Sequence, residues 1–201
     1  MPDDPEILRT HLKITRPSGW IERFAHLVPR DGQSQGRVLD VAAGGGRHAR
    51  FFRSLGNPVL AVDKNITALQ DLADEDHAEI LEIDLEDGKA WPFGVGEFAA
   101  IVVSNYLFRD HLDALIGSIE PGGVLLYETF ARGNEAFNRP RNPDHLLRSG
   151  ELLDLVQGRL QVVAYEHGIV GEEPAGVKQR ICAINDLSRT GRDDAILNPI
   201  P

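Results

Sequence analysis

The stretch Arg37-Val38-Leu39-Asp40-Val41-Ala42-Ala43-Gly44-Gly45-Gly46-Arg47-His48 decides the fold. Arg37 to Val41 is short and apolar, the pattern of a buried strand, and Arg47 to Leu55 reads as a helix ended by Gly56. Between them lie three consecutive glycines. Glycines at a strand-to-helix turn let a ligand approach the main chain, and the helix start offers free N–H groups. On its own the loop leaves its purpose open. Gly44 to Ala49 also fits the dinucleotide pattern G-x-G-x-x-A, and a tight turn holding no ligand uses the same residues.

Outward from the loop, β-rich runs alternate with helical ones. Pro58 to Asp63 predicts a second strand, with a helix from about Asn65 to Ala73, and Ala78 to Asp84 predicts a third strand. Phe98 to Ser104 is the most apolar run and belongs at the sheet centre. A helix near Arg109 to Ile119 is broken by Pro121-Gly122-Gly123, and Val124 to Thr129 is the fifth strand. Ser149 to Gln157 predicts a helix, then Leu160 to Val170 and Val177 to Asn185 predict strands. Only Gly171 to Gly176 separates these last two, too little for a crossover helix, so they pair antiparallel. The expected fold is α/β: a Rossmann-like, doubly wound, mostly parallel seven-stranded sheet ending in an antiparallel hairpin. Before the first strand, Ser18 caps a short amphipathic helix with Trp20, Phe24 and Leu27 on one face.

Acidic residues sharpen the loop. Asp63, 19 residues past Gly44, ends the second strand, where a carboxylate takes ribose hydroxyls. Asp40 and Asp84 end the first and third strands. Three successive strands thus present a carboxylate at the edge where open α/β sheets bind ligands.

At these residues the chain resembles the class I S-adenosylmethionine-dependent methyltransferases, from about Trp20 to Ile184. Val38-Leu39-Asp40 with Gly44 and Gly46 is similar to that family's D-x-G-x-G-x-G motif, with Ala42 in place of its first glycine. The resemblance implies S-adenosylmethionine as cofactor. It implies Asp40, Ala42, Ala43, Gly44 and Gly46 at the methionine end, and Asp63 with Lys64 at the ribose. It further implies Asp84 and Leu85 at the adenine, and Ser104-Asn105 beside the sulfonium half. A narrower likeness runs through Gly44 to Arg50, Asn105-Tyr106-Leu107, Tyr127 to Phe130 and Arg139 to Leu147. These resemble a compact bacterial group similar to tellurite-resistance methyltransferases.

Methyl transfer from a sulfonium asks mainly that nucleophile and methyl be held in line, and for a base only when the acceptor is protonated. Tyr106 and Glu128 are the catalytic candidates, Tyr106 to position the acceptor and Glu128 as a base. Each has a plainer role open to it, as an aromatic packed under the cofactor and as a tie between loops. Ser104-Asn105-Tyr106-Leu107 lacks the prolines of the N/D-P-P-Y/F motif found where base amino groups are methylated. Ala131 to Arg148 is long enough for a binding loop, and its Arg132, Arg139, Arg141 and Arg148 suit an anionic acceptor unless they are simply solvated. Trp20 either covers the bound cofactor and acceptor or packs on the sheet. His48, His111 and His145 are expected at the surface or at caps, and Cys182 in inert core.

The 201 residues, 42% hydrophobic and 26% charged, suit a single domain, 1–201 with a core at about 18–186 and tails at 1–16 and 187–201. A net charge of -10 makes nucleic acid a poor partner and a small molecule the expected one. The longest apolar run, Phe98 to Val103, is too short to span a membrane, and the acidic N-terminus is unlike a signal peptide. A cytoplasmic monomer or homodimer without a metal is expected, since one cysteine and unpatterned histidines suit no metal site. An NAD(P)-dependent oxidoreductase and a binding module without turnover are the alternatives.

Overall fold

The computed structural model describes residues 14–32, 34–171 and 175–186. Residues 1–13 of the expected tail at 1–16, the expected tail at 187–201, and the middle of the expected hairpin turn at 172–174 lie outside these residues. Seven strands form one sheet: β1 (Val38–Val41), β2 (Val59–Asp63), β3 (Ala78–Glu82), β4 (Phe98–Ser104), β5 (Ile119–Phe130), β6 (Gln161–Val170) and β7 (Gly176–Ile184). Their order is β3-β2-β1-β4-β5-β7-β6. The first five are parallel, and β7 runs antiparallel between β5 and β6. The doubly wound sheet with its terminal hairpin is therefore present as the alternation of apolar runs predicted.

Alternation along the strands gives the sheet two apolar faces. Leu39, Val41, Ile101, Val103, Leu125, Tyr127 and Ile181 meet α3 (Leu112–Gly117) and α4 (Glu151–Val156). Val38, Ala100, Val102, Leu126 and Cys182 meet α1 (Gly19–Phe24) and α2 (Arg47–Ser54) on the other side. Cys182 is fully buried, and burial pushes its thiol up to about 12, so it behaves as core.

Two local expectations need correction. The helix expected at Asn65 to Ala73 is a 3-10 run over Thr67–Leu72. Its only buried residues, Leu69 and Leu72, stand three apart, the spacing at which side chains align in a 3-10 helix, and the polar Thr67, Gln70 and Asp71 face solvent. The fifth strand begins at Ile119 instead of Val124, carrying Pro121-Gly122-Gly123 within it as a bulge. The step from Phe98 to Ala100 on β4 is matched by Ile119 to Val124 on β5. Gly123 fits because a Cβ there would lie 2.9 Å from the Ala99 and Glu120 carbonyl oxygens.

Candidate active site

The carboxyl ends of β1, β2, β4 and β5 and the start of β7 meet along one edge of the sheet. The loop after β1 turns sharply there: Ala42, Gly44 and Gly46 have φ of 51°, 56° and 73°. Ala42 holds a left-handed conformation that costs an L-residue roughly 1–2 kcal/mol, which glycine would avoid. A Cβ on Gly44 would meet nothing nearer than the Ala42 carbonyl oxygen at 4.0 Å, so the main chain is open where a ligand would lie against it.

Asp63 ties this loop to β2. Its Oδ2 accepts the Gly44 N–H at 2.8 Å and its Oδ1 the Asn65 N–H at 2.9 Å. Each carboxylate oxygen keeps a further lone pair for a ligand hydroxyl. Asp84 lies just past β3 and turns the chain by accepting the Glu86 N–H, while the Leu85 side chain is buried in the core. Asn105, also left-handed at φ 56°, donates its N–H to the Glu128 carbonyl, and its Oδ1 is buried without a partner. A buried orphan acceptor leaves one hydrogen bond open to a water or a ligand donor beside the glycine loop.

Asp40 is used inside the protein. It is buried, and its Oδ2 accepts the Ala49 N–H at 2.9 Å, capping α2 from β1 because Gly46 has no side chain to do so. Burial pushes its pKa up to about 7. His48, expected at the surface, is buried instead: its Nε2 accepts the Ser18 N–H at 3.2 Å, which leaves its proton on Nδ1, 4.0 Å from Asp40 Oδ1. Burial, with Arg47 and Lys178 nearby, holds His48 down at about 3.

These two groups oppose each other in pH. Asp40, raised on folding, contributes stability that is complete below about 4 and lost as pH rises through about 7. His48, lowered on folding, contributes stability present above about 6.5 and lost as pH falls toward about 3. Between about 4 and 6.5 the slopes cancel. Relative to the parent, His48→Gln should lose about 1.4 kcal/mol per pH unit as pH rises from 4.5 to 6.5. Urea denaturation at three pH values checks this, and parallel curves for the two proteins would refute it.

Further along the edge, Glu128 is an ion-pair centre. Its Oε1 accepts the Ser104 hydroxyl at 3.1 Å and its Oε2 lies 3.3 Å from Arg180 Nε. Arg47 donates to Ser104 Oγ at 3.0 Å and stands 4.0 Å from Glu128. Glu128 Oε1 is thus bonded to Ser104 while Oε2 faces the Arg180 guanidinium without a hydrogen bond, so the residue ties β4, β5 and β7 together at this edge. Tyr106 is half-buried in the site wall. Burial and the Glu86, Asp84 and Asp63 carboxylates push its pKa up, so its hydroxyl stays protonated.

Trp20 belongs to the core. Its indole is buried, packs edge-on to Phe24 at 4.8 Å, and donates to the Ile181 carbonyl at 3.3 Å. Of the two places expected for Trp20, over the ligand or packed on the sheet, it takes the second, because a side chain hydrogen-bonded to β7 is part of the sheet's packing. The Ala131–Arg148 loop is pinned: Arg109 bonds the Asp144 and Leu146 carbonyls and both Glu151 oxygens, and Asn134 bonds the Asn138 and Pro140 carbonyls. Arg132, Arg139 and Arg141 are exposed on it, Arg132 4.0 Å from Glu135. Among the described residues no group of three or more His, Cys, Asp or Glu could hold a metal, and no helix is long and apolar enough to cross a membrane.

The sequence reading missed Arg47, Lys178 and Arg180 as members of this edge. For Lys178 and Arg180 the signal was three polar residues, Lys178-Gln179-Arg180, inside an otherwise apolar run from Val177 to Ile184, a strand that an inner position would bury on both faces.

No family model matches the chain. Over 98 residues it is 34% identical to the protein-L-isoaspartate O-methyltransferase of Bradyrhizobium sp. (strain ORS 278), covering 47% of this chain and 45% of that protein. Over 108 residues it is 30% identical to the malonyl-[acyl-carrier protein] O-methyltransferase of Salmonella typhimurium, covering 51% and 42%. The chain spans less than half the length of these curated relatives. A Burkholderia thailandensis 1,6-didemethyltoxoflavin-N1-methyltransferase, solved with 1,6-didemethyltoxoflavin and S-adenosylhomocysteine bound, superposes with a TM-score of 0.62 at 19% identity, over 91% of this chain and 83% of that one. The fold is that of the class I S-adenosylmethionine-dependent methyltransferases.

Proposed function

We propose that the protein is an S-adenosylmethionine-dependent methyltransferase acting on a small-molecule acceptor. The observation that carries this reading is the Asp63 carboxylate closed onto the Gly44 N–H, beside a glycine-lined opening and the orphaned Asn105 Oδ1. In this reading the main chain of residues 42–46 lies against the methionine end. Asp63 and Lys64 receive the ribose, Asp84 and Leu85 the adenine, and Ser104 and Asn105 flank the sulfonium half. Bound there, S-adenosylmethionine would supply an already activated methyl group to the acceptor's lone pair. The chain's own part is to hold the acceptor in line and away from water. Tyr106, protonated at neutral pH, orients the acceptor as a hydrogen-bond donor and takes no proton. The pinned loop carrying Arg132, Arg139 and Arg141 forms the outer wall and draws in anions. Small-molecule chemistry is supported by the net charge of -10, which disfavours a nucleic-acid acceptor.

Calorimetric titration tests the cofactor assignment. S-adenosylhomocysteine should bind and NADH should not. Binding of NADH instead would turn the reading to a dehydrogenase. Labelled methyl transfer to candidate acceptors then separates an enzyme from a binding module.

A further inference from the structure

Arg50 stands on α2 one turn past the glycine loop, and its guanidinium reaches back to that loop. One terminal nitrogen donates to the Gly45 carbonyl. The other donates to the Ala68 carbonyl at 2.9 Å and to Asp71 Oδ1, while Nε donates to Asp71 Oδ2 at 2.8 Å. A Cβ on Gly46 would lie 2.7 Å from this guanidinium and 2.6 Å from Leu69 Cδ2, so a glycine there lets the arginine through.

These bonds close a circuit. It starts at the Gly44 N–H on Asp63, then runs through the Asn65 N–H on Asp63 and the Thr67 N–H on Asn65 Oδ1 to Ala68. Arg50 carries it from Ala68 back to Gly45, the residue beside its start. The ribose side, Asp63 and Lys64, and the methionine-end loop, residues 42–46, are thus held to each other at both ends. The loop needs such a hold. Three of its five residues are left-handed, Ala42 among them, and a strained backbone persists only where its surroundings over-determine it. Asp63 fixes one peptide of the loop and Arg50 fixes the next.

As a plain ion pair Arg50 and Asp71 would matter little, since their side chains are 37% and 58% exposed. What sets Arg50 apart is the fork, which reaches two main-chain carbonyls while the carboxylate holds its other side. The next arginine of α2 gives the contrast. Arg53 Nε lies 3.5 Å from Glu75, joining the same helix to the same connection after β2, but among the described residues it is bonded to none of 42–46.

We propose that Arg50 is a positioning residue for the cofactor, keeping the glycine loop and the ribose side in one binding-competent arrangement, and that Asp71 acts through it by aiming the guanidinium. This rests on the methyltransferase reading above.

Calorimetric titration with S-adenosylhomocysteine and urea denaturation, run on the same full-length proteins, provide the test. Arg50→Met, which keeps the stem, should weaken S-adenosylhomocysteine about tenfold, the loss expected when the competent loop is populated about one time in ten. Asp71→Ala should weaken it about threefold or more in the parent and leave it unchanged in Arg50→Met, because its route runs through the arginine. Arg53→Met should stay within about twofold of the parent. A purely structural tie would lower the urea midpoint of Arg50→Met and spare its affinity, which overturns the proposal. An equal loss in Arg53→Met, or an Asp71→Ala effect that persists without Arg50, overturns it too. Should Arg50→Met not fold, Asp71→Ala, at an exposed side chain, decides alone. If the parent does not bind S-adenosylhomocysteine, the cofactor reading itself falls, and that is seen before any variant is compared.

Discussion

Replacing Glu128 with alanine should destabilise the protein by roughly 3–5 kcal/mol, the usual cost of removing one partner from a buried ion pair. The carboxylate is 1% exposed and holds Arg180, 8% exposed at its side chain, together with the Ser104 hydroxyl. Its loss leaves the buried Arg180 guanidinium to the half-exposed Glu166 carboxylate, 3.7 Å away, next to the emptied volume. Changing both partners, Glu128→Leu with Arg180→Met, should restore much of the stability, because paired apolar substitutes carry no desolvation penalty. Denaturant midpoints for the three proteins decide it. A cost below about 1 kcal/mol for Glu128→Ala would mean that the pair is solvated and contributes like a surface one.

Asp63→Ala should cut S-adenosylhomocysteine affinity by roughly 2–4 kcal/mol, a factor of about thirty to a thousand, through loss of charge-assisted bonds to ribose hydroxyls. The structure adds a stability cost that sequence reading does not suggest. Asp63 also accepts the Gly44 and Asn65 N–H groups, so its removal should cost about 1–3 kcal/mol in folding as well. Asp63→Asn keeps one of the two bonds, because its amide oxygen can hold the Gly44 N–H while its NH2 group faces the Asn65 N–H, so part of the folding cost should remain while the charge at the ribose is gone. Calorimetry and denaturation on the same samples measure both. Undiminished affinity in Asp63→Ala would remove the ribose assignment.

The sheet was legible because its signals are local. Apolar runs bounded by glycine and aspartate mark strands, and a six-residue gap leaves only an antiparallel hairpin. Asp63 was legible for the same reason, as a carboxylate at a strand end a fixed distance past a glycine loop. What stayed hidden depends on neighbours distant in sequence. His48 sits on a helix like a surface residue, and only Ser18, 30 positions earlier, buries and fixes it. The ties of Glu128 appear only when Arg180 and Ser104 are brought to it across strands. Trp20 has two places open to it until Ile181, 161 positions away, accepts its indole proton. The bulge at Pro121-Gly122-Gly123 reads as a break because these residues punctuate chains, and only pairing with Phe98 and Ala100 draws them into β5.

Strand β7 comes last of the seven in the chain yet lies inside the sheet, between β5 and β6. On a ribosome, β5 and β6 both emerge before the strand that joins them, each with an open row of backbone donors and acceptors. Until Gly176 to Ile184 inserts, β6 has no partner in this sheet, and the backbone edge of β5 that β7 will pair borders solvent. Both edges are then templates for pairing with another chain, and the long sequence separation makes closure a slow contact to form. The same late strand carries Lys178 and Arg180 to the glycine loop's edge. The nascent protein therefore passes through its most aggregation-exposed state just before the edge is complete, and a chain cut short ahead of Gly176 would keep the hazard without gaining the site.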